Sequence, residues 1–194
     1  GGRRKTGGAA GNMGDEGDHE RCMTQLKSAF ANKSIQTMID KIQALGCSIP
    51  DGFFSCAPCA AAATGGFVPP PEGPGVVLCE NVKLDKNSFE AVLLHELVHA
   101  HDQCRYKVDW SNCRHLACSE VRASNLSGEC DYYMELFRGH TAIVGKKLEC
   151  VRRRAELSLA NQAHCSATRA EVVGDVLREC YANRSPLESC QGRW

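Results

Sequence analysis

The segment His95-Glu96-Leu97-Val98-His99 places two imidazoles and a carboxylate within five residues. On a helix, side chains four residues apart lie one above the other on the same face. Both imidazoles can therefore hold one ion, and zinc is the ion this pattern suits. Glu96 sits beside the first histidine, where its carboxylate can reach a water on that ion without being a ligand. The chemistry this allows is peptide-bond hydrolysis. Zinc supplies a Lewis acid and a water of lowered pKa, and Glu96 takes the proton from that water and returns it to the leaving amine. Chance matches to the pattern arise on the order of a few times per thousand chains of this length. Here the polar triad is also framed by Val92, Leu93, Leu94, Leu97 and Val98, as a half-buried helix requires.

A catalytic zinc needs a third protein ligand and an open position. Three residues compete for that role. Glu120 follows His99 by 21 residues, and an antiparallel helix pair with a short loop would bring it back over the histidines. Asp102 shares the face of His99 but lies further along the helix, which suits a hydrogen bond to an imidazole from behind. His115 lies near the start of the next segment. The bland reading of Glu120 is a surface glutamate paired with Arg114 or Arg122. His101 points roughly 200° away from His99 and is not expected to bind the ion. His19, His140 and His164 have no partner at ligand spacing.

The elements that must position these groups can be read from periodicity and punctuation. Residues 1–18 are Gly-rich and polar and are expected to form a disordered arm, with 19–194 as a single domain. One helix is expected from about Glu20 to Leu45, ended by Gly46. Cys47 to Gly75 reads as loop, except that Gly65–Val68 can pair with Val76–Cys79 in a small hairpin. Asn87 and Glu90 resemble a capping box opening the motif-bearing helix, Ser88 to Gln103. Further helices are expected over 112–126, 131–144, 146–162 and 167–182. The expected fold is an α-rich α+β domain with a small sheet.

The chain of 194 residues has zero formal net charge, so no bulk electrostatics draw it to nucleic acid. The run Arg152-Arg153-Arg154 is read as a solvated face. No apolar run reaches the length of a membrane span, and the first twenty residues contain no secretory signal. The 13 cysteines are spread along the chain rather than set in a zinc array. They are read mainly as disulfides in an oxidising compartment, with an odd one left over. Cys104 with Cys113, and Cys180 with Cys190, are spaced to bridge neighbouring segments. Cys47, Cys56, Cys59 and Cys79 are also weighed as a four-thiolate structural zinc site.

With these residues in hand, the chain resembles a known family. The blocks are Gly65-Gly66-Phe67, Val77-Leu78-Cys79-Glu80-Asn81, His95 through Arg105, and Arg114 through Gly128. They are similar to the mitochondrial intermembrane-space metallopeptidases that mature subunit 6 of the ATP synthase, whose animal members are also called Ku-binding proteins. The resemblance runs from about Cys22 to Pro186. It implies a zincin-like metallopeptidase with disulfide-stapled helices, with His95 and His99 as metal ligands and Glu96 as the catalytic base. Glu120 as third ligand rests on spacing alone. It also implies a peripheral inner-membrane protein facing the intermembrane space, with its cysteines oxidised by the disulfide-relay import machinery. The implied client is the subunit 6 precursor, which such proteins process and help to assemble into the membrane sector.

Three functions are therefore in competition. The first is a zinc endopeptidase. The second is an assembly chaperone or binding protein with a structural metal. The third is a nuclear partner of Ku, for which largely reduced thiols are expected and direct nucleic-acid contact is not.

Overall fold

The computed structural model describes residues 16–60, 63–139 and 146–184. The fold is helix-rich with one small sheet. Helix α1 spans Glu16–Ala29 and α2 spans Lys33–Ala44. Strand β1 is Phe54–Ala57, β2 is Gly65–Val68 and β3 is Gly75–Cys79. The long helix α3 runs from Lys86 to Tyr106, and α4 from Cys113 to Leu126. Helices α5 (Tyr132–Phe137), α6 (Lys147–Ala160) and α7 (Arg169–Ala182) complete the described elements.

The single helix expected over 20–45 is two helices. Asn32 takes an extended conformation, and its side chain accepts a hydrogen bond from the Ser34 amide. That satisfies one of the unpaired amides of a new helix start. Apolar periodicity hides the break, because Cys22 and Leu26 of α1 and Ile35, Met38 and Ile42 of α2 are all buried in one core. Residues 16–18 of the expected disordered arm belong to α1, with Glu16 and Asp18 suited to its N-terminal dipole. Residues 1–15 lie outside the described residues.

The hairpin expectation holds. β2 pairs antiparallel with β3, Phe67 opposite Val76. Strand β1, within a stretch expected to be loop, pairs parallel with β3 on its other side, giving the order β1-β3-β2. The central strand is the most buried, with Val76 and Leu78 almost fully enclosed. Gly75 has φ of 100°, and a Cβ there would lie 2.6 Å from the Phe53 carbonyl oxygen. Glycine is therefore required where β3 begins.

Helix α3 opens two residues earlier than expected. Its cap is Asp85, not Asn87, and the Asp85 carboxylate accepts from the amides of Asn87 and Ser88. Asn112 caps α4 in the same way, accepting from Arg114 and His115. The helix expected over 131–144 is a short α5, and residues 140–145 lie outside the described residues. No described helix is long and apolar enough to cross a membrane.

Two apolar cores result. One joins α1, α2 and the sheet to the inner face of α3 through Leu93, Leu97 and Val98. The other joins α4 to α6 and α7 through Val121, Val151, Leu159 and Val173. Helices α3 and α4 pack side by side along the seam between them.

Six disulfides staple this arrangement: Cys22–Cys56, Cys47–Cys104, Cys59–Cys79, Cys113–Cys165, Cys118–Cys180 and Cys130–Cys150. They use every cysteine but Cys190, which lies outside the described residues. The Cys104–Cys113 and Cys180–Cys190 pairings suggested by spacing do not form, because packing brings sequence-distant partners closer than the neighbours. The four-thiolate zinc site is excluded as well. Cys59 and Cys79 bond each other, while Cys47 and Cys56 are bonded elsewhere. Cys113 and Cys165 lie beside His164, but their sulfurs are consumed in a bridge.

Cys118–Cys180 ties α4 to α7 across a sequence separation of 62 residues. Closing a loop of that length restricts the unfolded chain by about 4 kcal/mol. Replacing both cysteines by serine is expected to lower stability by roughly 2–5 kcal/mol. A urea titration checks it, and an unchanged midpoint would contradict the stapling role.

Candidate active site

Helix α3 presents His95 and His99 one turn apart, with ring centroids separated by 4.8 Å. Helix α4 brings Glu120 to them from the side. His95 Nε2 lies 3.4 Å from one Glu120 carboxylate oxygen, and His99 Nε2 lies 3.6 Å from the other. Of the three candidates for third ligand, only Glu120 joins the histidines. It is buried, not a surface residue. Its supposed partners are engaged elsewhere, Arg114 with Asp175 and Arg122 with Asp102.

His115 is exposed, and its Nδ1 accepts from the Asp109 amide. Asp102 lies behind His99, and its contact is relayed rather than direct. His99 Nδ1 lies 2.8 Å from Ser119 Oγ, and that hydroxyl donates to Asp102 over 3.2 Å. A hydroxyl has one proton to give. With its proton directed at Asp102, Ser119 Oγ accepts from His99 Nδ1–H, which leaves the His99 Nε2 lone pair facing Glu120. His101 is turned away and meets Asp102 at 3.3 Å.

His95 is oriented in the same manner by a residue that the sequence did not single out. Its Nδ1 lies 3.1 Å from Glu129. The Glu129 carboxylate is itself held by Arg154 of α6 at 2.8 Å. Both imidazoles thus have Nδ1 occupied from behind and Nε2 converging on one point. Outer partners of this kind fix the tautomer and orientation of metal-binding histidines.

The donor set at that point is two imidazole nitrogens and a carboxylate, which suits a divalent metal such as zinc. One observation strengthens the fit. Glu120 Oε2 is buried and no donor meets it in hydrogen-bond geometry, His95 Nε2 at 3.4 Å included, and such an acceptor is costly unless something else satisfies it. A cation held by His95, His99 and Glu120 would do so.

Burial controls the charges in this cluster. It pushes the His99 imidazole down to about 4, so the ring is neutral and its lone pair available at neutral pH. Burial also opposes protonation of His95, but the Glu129 and Glu120 carboxylates outweigh it and hold this pKa well above the usual value. Glu120 is likewise held below the usual carboxylate range: burial works against its charge and the His99 and His95 rings overcome it. At Glu96 burial wins: the neighbouring His95 ring pulls the other way, but the Glu120 and Glu129 carboxylates side with burial. Burial pushes its carboxyl up to about 7, so the group is poised to exchange a proton near neutrality.

Strand β2 packs against α3 beside Glu96. A Cβ on Gly65 would lie 2.9 Å from Val92 and 3.4 Å from the Glu96 side chain. Gly65 therefore lets the strand approach the motif helix closely.

Sequence comparison agrees with this geometry. The Peptidase M76 family matches residues 20–188. The chain is 41% identical over 172 residues to the mitochondrial inner membrane protease atp23 of Schizosaccharomyces pombe, covering 84% of this chain and 90% of the relative. It is 37% identical over 173 residues to the human mitochondrial inner membrane protease ATP23 homolog, covering 87% of this chain and 70% of the relative. No solved structure matches the chain. With the family match spanning both helices of the site and most of the sequence around them, the chain belongs to the Peptidase M76 family.

Proposed function

We propose that this chain is a zinc-dependent endopeptidase with a zincin-like site, in which His95, His99 and Glu120 hold the metal and Glu96 is the catalytic base. The convergence of three donor groups on one point, with Glu120 Oε2 left orphaned, carries this reading. Bound zinc supplies a Lewis acid for the scissile carbonyl and a water of lowered pKa. Ser119 and Glu129 keep both imidazoles in the tautomer that turns Nε2 toward the ion. Glu96, adjacent to His95 and near neutrality in its proton affinity, takes the proton of the attacking water and delivers it to the leaving amine. The nearly closed surroundings of Glu96, His99 and Glu120 exclude bulk water and strengthen each of these interactions.

The site of action we propose is the intermembrane space, peripheral to the mitochondrial inner membrane. The names of the relatives support the membrane, and six disulfides support an oxidising compartment reached through the disulfide relay. The same disulfides argue against a nuclear Ku-binding role. The proposed client is the subunit 6 precursor of the ATP synthase, which the chain cleaves and also helps to assemble into the membrane sector. The family resemblance supports this client.

The test is cleavage of peptides drawn from mitochondrially made membrane subunits by oxidised, zinc-loaded protein. Cleavage is expected, with loss on chelation and recovery on adding zinc. Glu120→Ala is expected to weaken zinc affinity by more than about 100-fold, since loss of an outer partner alone costs about 10–100-fold. Calorimetric zinc titration reads that loss directly. Zinc-bound protein that cleaves none of these peptides would favour the non-catalytic chaperone.

A further inference from the structure

Trp110 stands in the turn between α3 and α4, at the seam of the two cores. Its ring centroid lies 5.7 Å from that of His99, in an edge-to-face arrangement. It also meets Phe67 of β2, with centroids 6.2 Å apart. Phe67 packs against the sheet core and Trp110 against the α4 core, so the pair bridges the seam beside the metal-binding histidines. Both rings are only half-buried. The indole N–H is already used, donating to Gln103 over 2.8 Å. What Trp110 still offers is therefore apolar ring surface.

We propose that Phe67 and Trp110 form the wall of a specificity subsite, which takes an apolar side chain of an extended peptide next to the bond cleaved at the His95–His99–Glu120 centre. The inference rests on the peptidase reading above and adds the substrate class: a segment with a bulky aliphatic or aromatic residue flanking the scissile bond. The occupant follows from continuity. A peptide whose carbonyl lies at His95 and His99 carries its neighbouring side chains past the ring in contact with His99. The wall is aromatic, and the polar atom that could have selected a hydrogen-bonding side chain is satisfied internally. Burying a Leu or Phe against it removes apolar surface from water, whereas glycine gains nothing.

The test separates binding from cleavage. Trp194 is the only other tryptophan in the chain. In a zinc-loaded protein carrying Glu96→Gln and Trp194→Phe, emission therefore reports on Trp110 alone. The probes are octapeptides of Ala and Ser with one Gly, Leu or Phe guest stepped through each position. At one position the Leu and Phe guests are expected to bind about tenfold tighter than Gly or better, and to shift Trp110 emission to the blue. Phe67→Ala is expected to remove most of that preference. Phe67→Leu, which keeps an apolar residue in the core, guards against a folding defect and is expected to keep the aliphatic preference and weaken the aromatic one. Equal affinity for all guests, no binding at all, or an emission that does not move would overturn the subsite. Cleavage by the Glu96 protein is measured in parallel. Cleavage without guest preference overturns the wall and leaves the peptidase. Guest-selective binding without cleavage does the reverse.

Discussion

Glu96→Gln is expected to lower peptide cleavage by about 10²–10⁴-fold, the usual worth of a positioned general base, while fold and zinc binding persist. The substitution keeps the shape of the side chain and removes only its ability to exchange a proton. Stability should not suffer, and the sign can be worked out. Burial lifts the Glu96 carboxyl in the metal-free protein to about 7 from an ordinary 4.5. A carboxyl raised in this way binds its proton more tightly folded than unfolded, so it costs stability progressively as pH rises from the unfolded value to the folded one. Above that window the ionised group is a burden that glutamine does not carry. The metal-free variant is therefore expected to be at least as stable as its parent at pH 8, read by thermal melting. Cleavage at the parental rate would move the base to another residue. An assembly activity that survives in the variant would separate a binding role from the chemistry on the same chain.

The clustering of the motif residues was legible because it is local. His95, Glu96 and His99 share one helical turn, so spacing alone places their side chains together. Glu120 was legible at one remove, since a short loop between two capped helices leaves few ways to pack them. What holds the histidines in place was not legible to the same degree. Ser119 and Glu129 act across helices, and Glu129 follows a turn after α4, where no period applies. One signal was available. Helix α4 is buried along its whole length from Leu116 to Leu126, yet it contains Ser119, Glu120, Arg122, Ser124 and Asn125. A helix this polar is expected to lie at the surface. A long motif helix beside it must cover it on one side, which leaves little surface for so many polar groups.

The fold divided along the same line. Helix α4 lies over the expected residues, with Asn112 as its cap, and β2 pairs with β3 as expected. Strand β1 escaped because four residues are too few for the Phe54-Ser55-Cys56 alternation to stand out, and they gain their place only by pairing parallel to β3, a contact that local sequence does not encode. The disulfides show this most plainly. Cysteine spacing favoured near neighbours, while packing joined Cys113 to Cys165 and Cys118 to Cys180 across whole helices.

The largest effect on stability is expected at Arg122. This guanidinium is fully buried, as is Asp102. Arg122 Nε lies 2.9 Å and Nη2 2.9 Å from the Asp102 carboxylate oxygens, and Nη1 donates to the Asn183 carbonyl beyond the end of α7. Burial opposes the Asp102 charge, but Arg122 outweighs it and holds the carboxyl below its ordinary 3.8. Arg122→Met would leave a buried carboxylate without its main partner, at a cost of about 3–5 kcal/mol. Removing both charges, as in Arg122→Met with Asp102→Leu, is expected to recover much of that loss, because neither desolvation penalty remains. Chemical denaturation of the two variants checks this ordering. A double variant no more stable than Arg122→Met would mean that the pair contributes through its hydrogen bonds to Ser119 and Asn183 rather than by mutual neutralisation. The pH dependence has a definite direction as well. A depressed carboxyl contributes stability in full above its unfolded pKa and loses it as pH falls through the folded value, so the parent is expected to lose the advantage of the pair only in acid, below about 4. Because Asp102 also receives the Ser119 hydroxyl that orients His99, the same pair connects the stability of the α3–α4 seam to the aim of His99 Nε2. The double variant is therefore expected to fold better than Arg122→Met yet bind zinc about 10–100-fold more weakly than the parent.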